Sequence, residues 1–254
     1  MTNWAYLDHP GPLAFAHRGG ACEFPENTML AFESAVGLGY RYLETDVHAT
    51  ADGVLVAFHD DVLDRVTDRS GRIVDLPWSE VSQARIDGEP IPLLEDVLAA
   101  WPDVRVNIDA KADASLEPLV AVIERTAAHD RVCVGAFSNR RLRRFRQLTG
   151  GRVCTSTGPL STARLRVASY VPPTWPFRAG CVQVPLSRGA MPIVDPRFIA
   201  AAHRRGLQVH VWTIDDPQEM DRLLDLGVDG IMTDRPGILR EVLQRRGQWV
   251  GSTN

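Results

Sequence analysis

The sequence predicts an α/β fold, a TIM (β/α)8 barrel with a small insertion after its second strand. Three observations carry this. Eight short apolar runs recur along the chain, and most are followed by a helical pattern or by room for one. The 254 residues suit an α/β barrel that closes as one domain, with its core over residues 12–245 of 1–254. No G-x-G-x-x-G follows the first run, which argues against the doubly wound alternative.

The strand-like runs lie at residues 13–17, 40–47, 104–110, 131–137, 152–157, 181–184, 207–214 and 230–233. Helical patterns occupy 27–38, 116–128, 140–148, 196–205 and 217–226. A ninth run at 54–59 follows the second strand too closely for a parallel crossover, so the two must pair antiparallel. Asp52-Gly53 is a type I′ turn signal. Residues 60–101 then form an insertion over one side of the barrel mouth, with a helix at 94–100.

Composition excludes several classes. A net charge of -4 argues against a general nucleic-acid binder. No stretch reaches the roughly 18 apolar residues of a membrane span. The start, MTNWAYLDHPG, has neither a basic n-region nor an apolar h-region, so a cytoplasmic protein is expected. Cys133, Cys154 and Cys181 sit in strand-like runs and, with Cys22, show no C-x-x-C pair, so buried reduced thiols are expected rather than zinc. Lys111 is the only lysine among 28 Lys and Arg residues, which reads either as a coding bias toward arginine or as a place where a compact ammonium is required.

In such a barrel, reactive groups belong at the C-terminal strand ends. Glu44 and Asp46 are two apart, so they share a strand face. Two carboxylates at an apolar mouth repel unless one is protonated or a cation sits between them. All-oxygen ligation suits one divalent cation, Mg2+ or Ca2+, with Asp109 of the neighbouring third strand as a further ligand. A hairpin with a two- or four-residue loop would set His59 beside these acids, whereas a three-residue loop would set it opposite Thr45, pointing away. His17 ends the first strand, so two histidines flank the group held there and can serve as general acid and base. Arg18 offers a fork to phosphate, Gly19-Gly20 allow close backbone approach, and Lys111 can offset developing negative charge. The set points to metal-assisted attack on a phosphodiester.

With those residues in place, the chain resembles the glycerophosphodiester phosphodiesterase family. The resemblance rests on AFAHRGG with PENT close behind, LETD, FHD, IPLLEDVL, NIDAK, VHVWTIDD and GIMTDRP, which span residues 13–236 in the family's order. It implies hydrolysis of small glycerophosphodiesters to sn-glycerol 3-phosphate and an alcohol. It implies His17 and His59 as the acid–base pair, Glu44, Asp46 and Asp109 as ligands of the divalent ion, and Arg18 and Lys111 as phosphate-binding residues. Glu26 of PENT would support the site and Trp212 would line the substrate pocket. Asp109 stands where the family usually has Glu, which implies retained activity with altered metal affinity. A phospholipase D-like enzyme of the sphingomyelinase D type and a silent barrel that binds phosphorylated ligands are the competing readings.

Elsewhere the bland readings stand. His210 is expected as a satisfied core histidine, and His9, His48, His129 and His203 as surface residues. The five arginines of 140–146 are compatible with an anionic membrane surface, but a solvated helix face is the simpler expectation. The Pro- and aromatic-rich run 171–177 is expected to be a packed surface loop.

Overall fold

The structure, a computed structural model, describes residues 4–170, 176–189 and 191–251. Five of the seven residues of the run 171–177 therefore lie outside the described residues.

Eight parallel strands form the barrel. They are, in order, Leu13–Ala16, Tyr42–Ala49, Arg105–Ala110, Val132–Gly135, Cys154–Thr155, Cys181–Pro185, Gln208–Trp212 and Gly230–Thr233. Their spatial order is fifth, fourth, third, second, first, eighth, seventh, sixth. A bridge between Ser156 and Cys181 joins the two ends, so the path closes on itself.

One helix follows each strand: Met29–Gly37, Leu94–Ala100, Leu116–Arg125, Asn139–Leu148, Pro159–Ala168, Pro196–His203, Pro217–Asp225 and Pro236–Arg245. Four of the helices start at a side-chain cap. Thr28, Ser138, Asp195 and Asp216 each accept a hydrogen bond from the backbone N–H three residues on. Pro159 and Pro236 instead open their helices with a preset φ and no orphan N–H.

Strand alternation separates two cores. Outward residues such as Val106, Ile108, Val132 and Val134 pack against the helices. Leu13, Phe15, Tyr42, Cys133, Cys154, Cys181 and Met232 fill the inside. These three cysteines are free and buried, and Cys133 Sγ lies 3.8 Å from Cys181 Sγ. A short 3-10 turn at Ala5–Leu7 plugs the floor, where Tyr42 Oη donates to Tyr6 O (2.9 Å) and Gln208 Nε2 to Leu7 O (3.1 Å). The opposite end is left as the mouth.

His210 is fully buried in this interior. Its Nε2 bonds Gln208 Oε1 (3.1 Å) and its Nδ1 faces Gln183 Nε2 (3.5 Å). It is the satisfied core histidine that was expected. Burial pushes its pKa down to about 3. The unfolded chain therefore binds a proton that the folded one refuses between pH 6.5 and 3. This stabilisation is complete above pH 6.5 and is lost as pH falls, at about 1.4 kcal/mol per pH unit. In urea titrations at several pH values, His210→Gln is expected to show a shallower loss of stability below pH 6.5 than the parent. Parallel pH curves would refute this.

The hairpin differs from the expected turn. Leu55–Ala57 pairs antiparallel with the second strand through Val47–Ala57, His48–Val56 and Ala49–Leu55. Gly53 has φ +82°, but Asp52 is not in the left-handed region, so a type I′ turn is excluded. Thr50 N donates to Val54 O (2.9 Å), leaving a three-residue loop, 51–53. Residues 61–91 gather around a small cluster of their own that includes Phe58, Leu63, Ile73, Val81 and Ile91. Leu94 and Leu98 of the following helix pack instead with the third strand.

Candidate active site

The parallel register brings the acids together. Glu44 pairs with Asn107 and Asp46 with Asp109 across the second and third strands. Inward alternation then aims Glu44, Asp46 and Asp109 into the mouth, all buried. Lys111, just past the strand end, bridges two of them, with Nζ 2.7 Å from Asp46 Oδ1 and 2.8 Å from Asp109 Oδ2. Burial opposes the ammonium charge, but the two carboxylates outweigh it and raise the Lys111 pKa. Asp46 is desolvated yet held below its usual range by Lys111 and Arg18. Glu44 meets only the more distant His17 ring, 3.8 Å away, and the Arg18 backbone N–H. Burial and the Asp46 charge push it up to about 7.

The loop after the first strand supplies the opposite wall. Arg18 adopts φ +50°, and Gly19 and Gly20 follow with positive φ. At Gly19 a Cβ would fall 2.6 Å from Ala31 Cβ, so only glycine lets the loop press onto the first helix. This turn points Arg18 N at Glu44 Oε2 (3.1 Å). The Arg18 side chain lies 3.3 Å from Asp46 and donates to Glu26 Oε1 (3.1 Å). Glu26 also accepts from Arg65 Nη2 of the insertion (2.7 Å).

Both histidines are held by aspartates. His17 Nδ1 lies 2.6 Å from Asp234 Oδ1, and its Nε2 lies 3.8 Å from Glu44 Oε2. Burial opposes the His17 charge, but Glu44 and Asp234 together raise its pKa. His59 Nδ1 lies 2.5 Å from Asp60 Oδ1. Hydrogen bonds from Arg65, reinforced by His59, hold Asp60 down to about 2. Each aspartate binds Nδ1 and leaves Nε2 free for proton transfer.

The observed hairpin register is the one that, continued straight, would set His59 opposite Thr45. The ladder ends at Ala57, however, and after Phe58 N donates to Asp46 O (2.9 Å) the chain leaves the sheet. His59 is thus freed from strand alternation and comes close enough to Asp46 to help lower its pKa. His48 corrects another expectation. It is buried, not a surface residue, and its Nε2 donates to the His59 carbonyl (3.1 Å), because the second strand continues to Ala49.

Several site residues had no role assigned from sequence. Asn27 is buried at φ +57°, donates to Asp46 Oδ2 (3.3 Å) and accepts from Thr45 Oγ1 (2.7 Å). Asp60 and Asp234 orient the histidines. Phe137 is 67% exposed, yet its ring meets Trp212 edge-on at 5.8 Å and faces Lys111 Nζ at 5.9 Å. FHD, PENT and GIMTDRP contain three of the four, but nothing in those runs says what each touches.

The donor set suits a hard divalent cation. Asp109 Oδ1 is buried without a hydrogen-bond partner, and the nearest cationic group paired with Glu44 is His17 Nε2, no closer than 3.8 Å. Both deficits are what a bound cation would satisfy. The three carboxylates are not gathered into a closed ligand set, and Lys111 Nζ bridges Asp46 and Asp109. Among the described residues, the one such set is Cys22, Asp215 and Asp234 beside His17.

Residues 17–238 match the glycerophosphoryl diester phosphodiesterase family over most of the chain. The chain belongs to this family. A Mycobacterium tuberculosis protein named "Probable glycerophosphodiester phosphodiesterase 2" is 45% identical, with 97% of this chain and 96% of that protein covered. A glycerophosphodiester phosphodiesterase of Caldanaerobacter subterraneus is 30% identical over 92% of this chain and 99% of its own. The fold recurs in an Oleispira antarctica phosphodiesterase solved with the product sn-glycerol-3-phosphate. That comparison has a TM-score of 0.79 and 21% identity, covering 92% of this chain and 97% of that one. Among the described residues of this family member, no helix is long and apolar enough to cross a membrane.

Phe137 gives a direct test of the mouth's geometry. Phe137→Ala is expected to raise KM about 2- to 10-fold with kcat little changed, from the loss of aromatic and cation–π contacts. Phe137→Tyr should restore KM. A lowered kcat at constant KM would assign the ring another role.

Proposed function

We propose that this chain hydrolyses small glycerophosphodiesters to sn-glycerol 3-phosphate and an alcohol, using two histidines and one divalent cation. The observation that carries this reading is the pair of Asp-held histidines set about the buried Glu44–Asp46 pair. In this mechanism one Nε2 takes the proton of the attacking oxygen and the other returns a proton to the leaving alcohol oxygen. Asp234 and Asp60 fix both rings and stabilise each imidazolium as it forms. Arg18 and Lys111 bind the phosphate oxygens and offset the charge that grows on them. Glu26 holds Arg18 in place, and Trp212 with Phe137 lines the pocket.

Glu44, Asp46 and Asp109 would hold Mg2+ or Ca2+, with Lys111 released from its bridge to face the phosphate. The cation would supply Lewis-acid stabilisation of the phosphoryl oxygens. The absence of a spare methylene in Asp109 changes its reach and so the affinity for the ion.

The test is release of glycerol 3-phosphate from a panel of glycerophosphodiesters with Mg2+, Ca2+ or chelator. Metal-dependent release supports the reading. A cyclic phosphate as sole end product favours the sphingomyelinase D type of reaction, and ligand binding without turnover favours a silent barrel.

A further inference from the structure

We propose that the rim of the mouth over the fourth, fifth and sixth barrel strands docks on an anionic lipid surface. These strands are consecutive around the barrel, so the segments after them are neighbours on the catalytic face. Each segment carries a large apolar side chain that is more than half exposed. Phe137 is 67% exposed, Leu160 54% and Met191 60%. Asn139 ties the first two segments together, accepting from Leu160 N (2.8 Å) and donating to Ser161 Oγ (2.9 Å). Met191 lies on a small hairpin, Ser187–Arg188 with Met191–Pro192, that rises after the sixth strand.

The charges beside these tips are basic. Arg140, Arg143 and Arg144 of the helix Asn139–Leu148 are exposed, as is Arg188 of the hairpin. Arg140 and Arg141 share the single carboxylate of Asp113, and Arg144 meets Glu117. Arg143 and Arg188 have no carboxylate partner among the described residues. The rim thus keeps a positive excess although the chain as a whole carries -4. Across the mouth, the groove between the first loop and the insertion is lined by Glu23, Glu26, Asp68 and Asp87, against Arg65 and Arg85. That side is repelled by anionic lipid, so the charge asymmetry sets which rim faces the bilayer. Apolar tips beside arginines are the combination that partitions into an anionic interface, the tips among the acyl chains and the guanidinium groups at the headgroups. Because Phe137 also touches Trp212, the lipid-facing rim runs directly into the pocket wall.

The test is co-sedimentation with phosphatidylcholine vesicles, pure or with about a third phosphatidylglycerol. The wild-type chain should sediment with the anionic vesicles only, and less so at high salt. Leu160→Ser combined with Met191→Ser should weaken that binding about tenfold or more. Both side chains are exposed, so this variant should keep its melting temperature and its rate on a water-soluble glycerophosphodiester. Arg188→Glu should weaken binding independently. No binding of wild type to anionic vesicles, equal binding to both vesicle types, or undiminished binding of both variants overturns the proposal. The readout needs no turnover, so it stands or falls separately from the catalytic reading.

Discussion

His17→Ala is expected to lower kcat by about 10³-fold, within the range general acid–base groups contribute. Melting temperature should change little, because His17 lies at the mouth rather than in the packed interior. The companion variant Asp234→Asn separates chemistry from positioning. Asp234 accepts from His17 Nδ1, so the amide leaves the ring in place but no longer fixes its tautomer or stabilises its charge. Its kcat should fall less than in His17→Ala. The pH profile should also shift, since Asp234 is one of the groups that raise the His17 pKa. Removing it moves the His17 titration to lower pH. Near-normal kcat in His17→Ala would remove this residue from the chemistry.

Chelation is expected to abolish turnover, and Mg2+ or Ca2+ to restore it. Calorimetric titration of the chelated protein gives a readout without substrate. Glu44→Gln and Asp46→Asn should each weaken ion binding by about tenfold or more, because each removes a charged oxygen ligand from a small set. The pH dependence has a definite sign. Burial and Asp46 raise Glu44 to about 7, so the empty carboxyl carries a proton over much of the range below neutrality. An ion must displace that proton, so apparent affinity should fall about tenfold per pH unit below 7 and level off above it. In Glu44→Gln this slope should disappear. Asp109→Glu restores the usual length and should change ion affinity more than it changes fold stability. No heat of binding for either ion at any pH would rule out the ligand set.

Much of this site is legible in the chain because strand alternation has a period of two. Glu44 and Asp46 share a face by arithmetic, and Asp109 joins them once the second and third strands are neighbours. Arg18, Glu26, Lys111 and Trp212 also come to the mouth, as their places at strand ends and in the first loop imply. His48 was misplaced because the second strand runs two residues beyond its apolar pattern. The two- or four-residue turn expected to set His59 beside the acids is not the one that forms. The turn has three residues, and the end of the ladder, not the register, delivers the ring.

The amino-acid sequence by itself determined the order of strands and helices, the inward acids, the two histidines and the glycines that fold the first loop. Those follow from local periodicity and backbone sterics, which act over a few residues. Tertiary structure alone decided which partner each group meets. Asp234 lies 217 positions from His17 and reaches it only because the eighth strand closes against the first. Lys111 between Asp46 and Asp109 needs the pairing of the second and third strands, and Arg65 reaches back to Glu26 only through the fold of the insertion. Hydrogen bonds and charges act over a few ångströms of space, and only the closed barrel turns long separations along the chain into such distances.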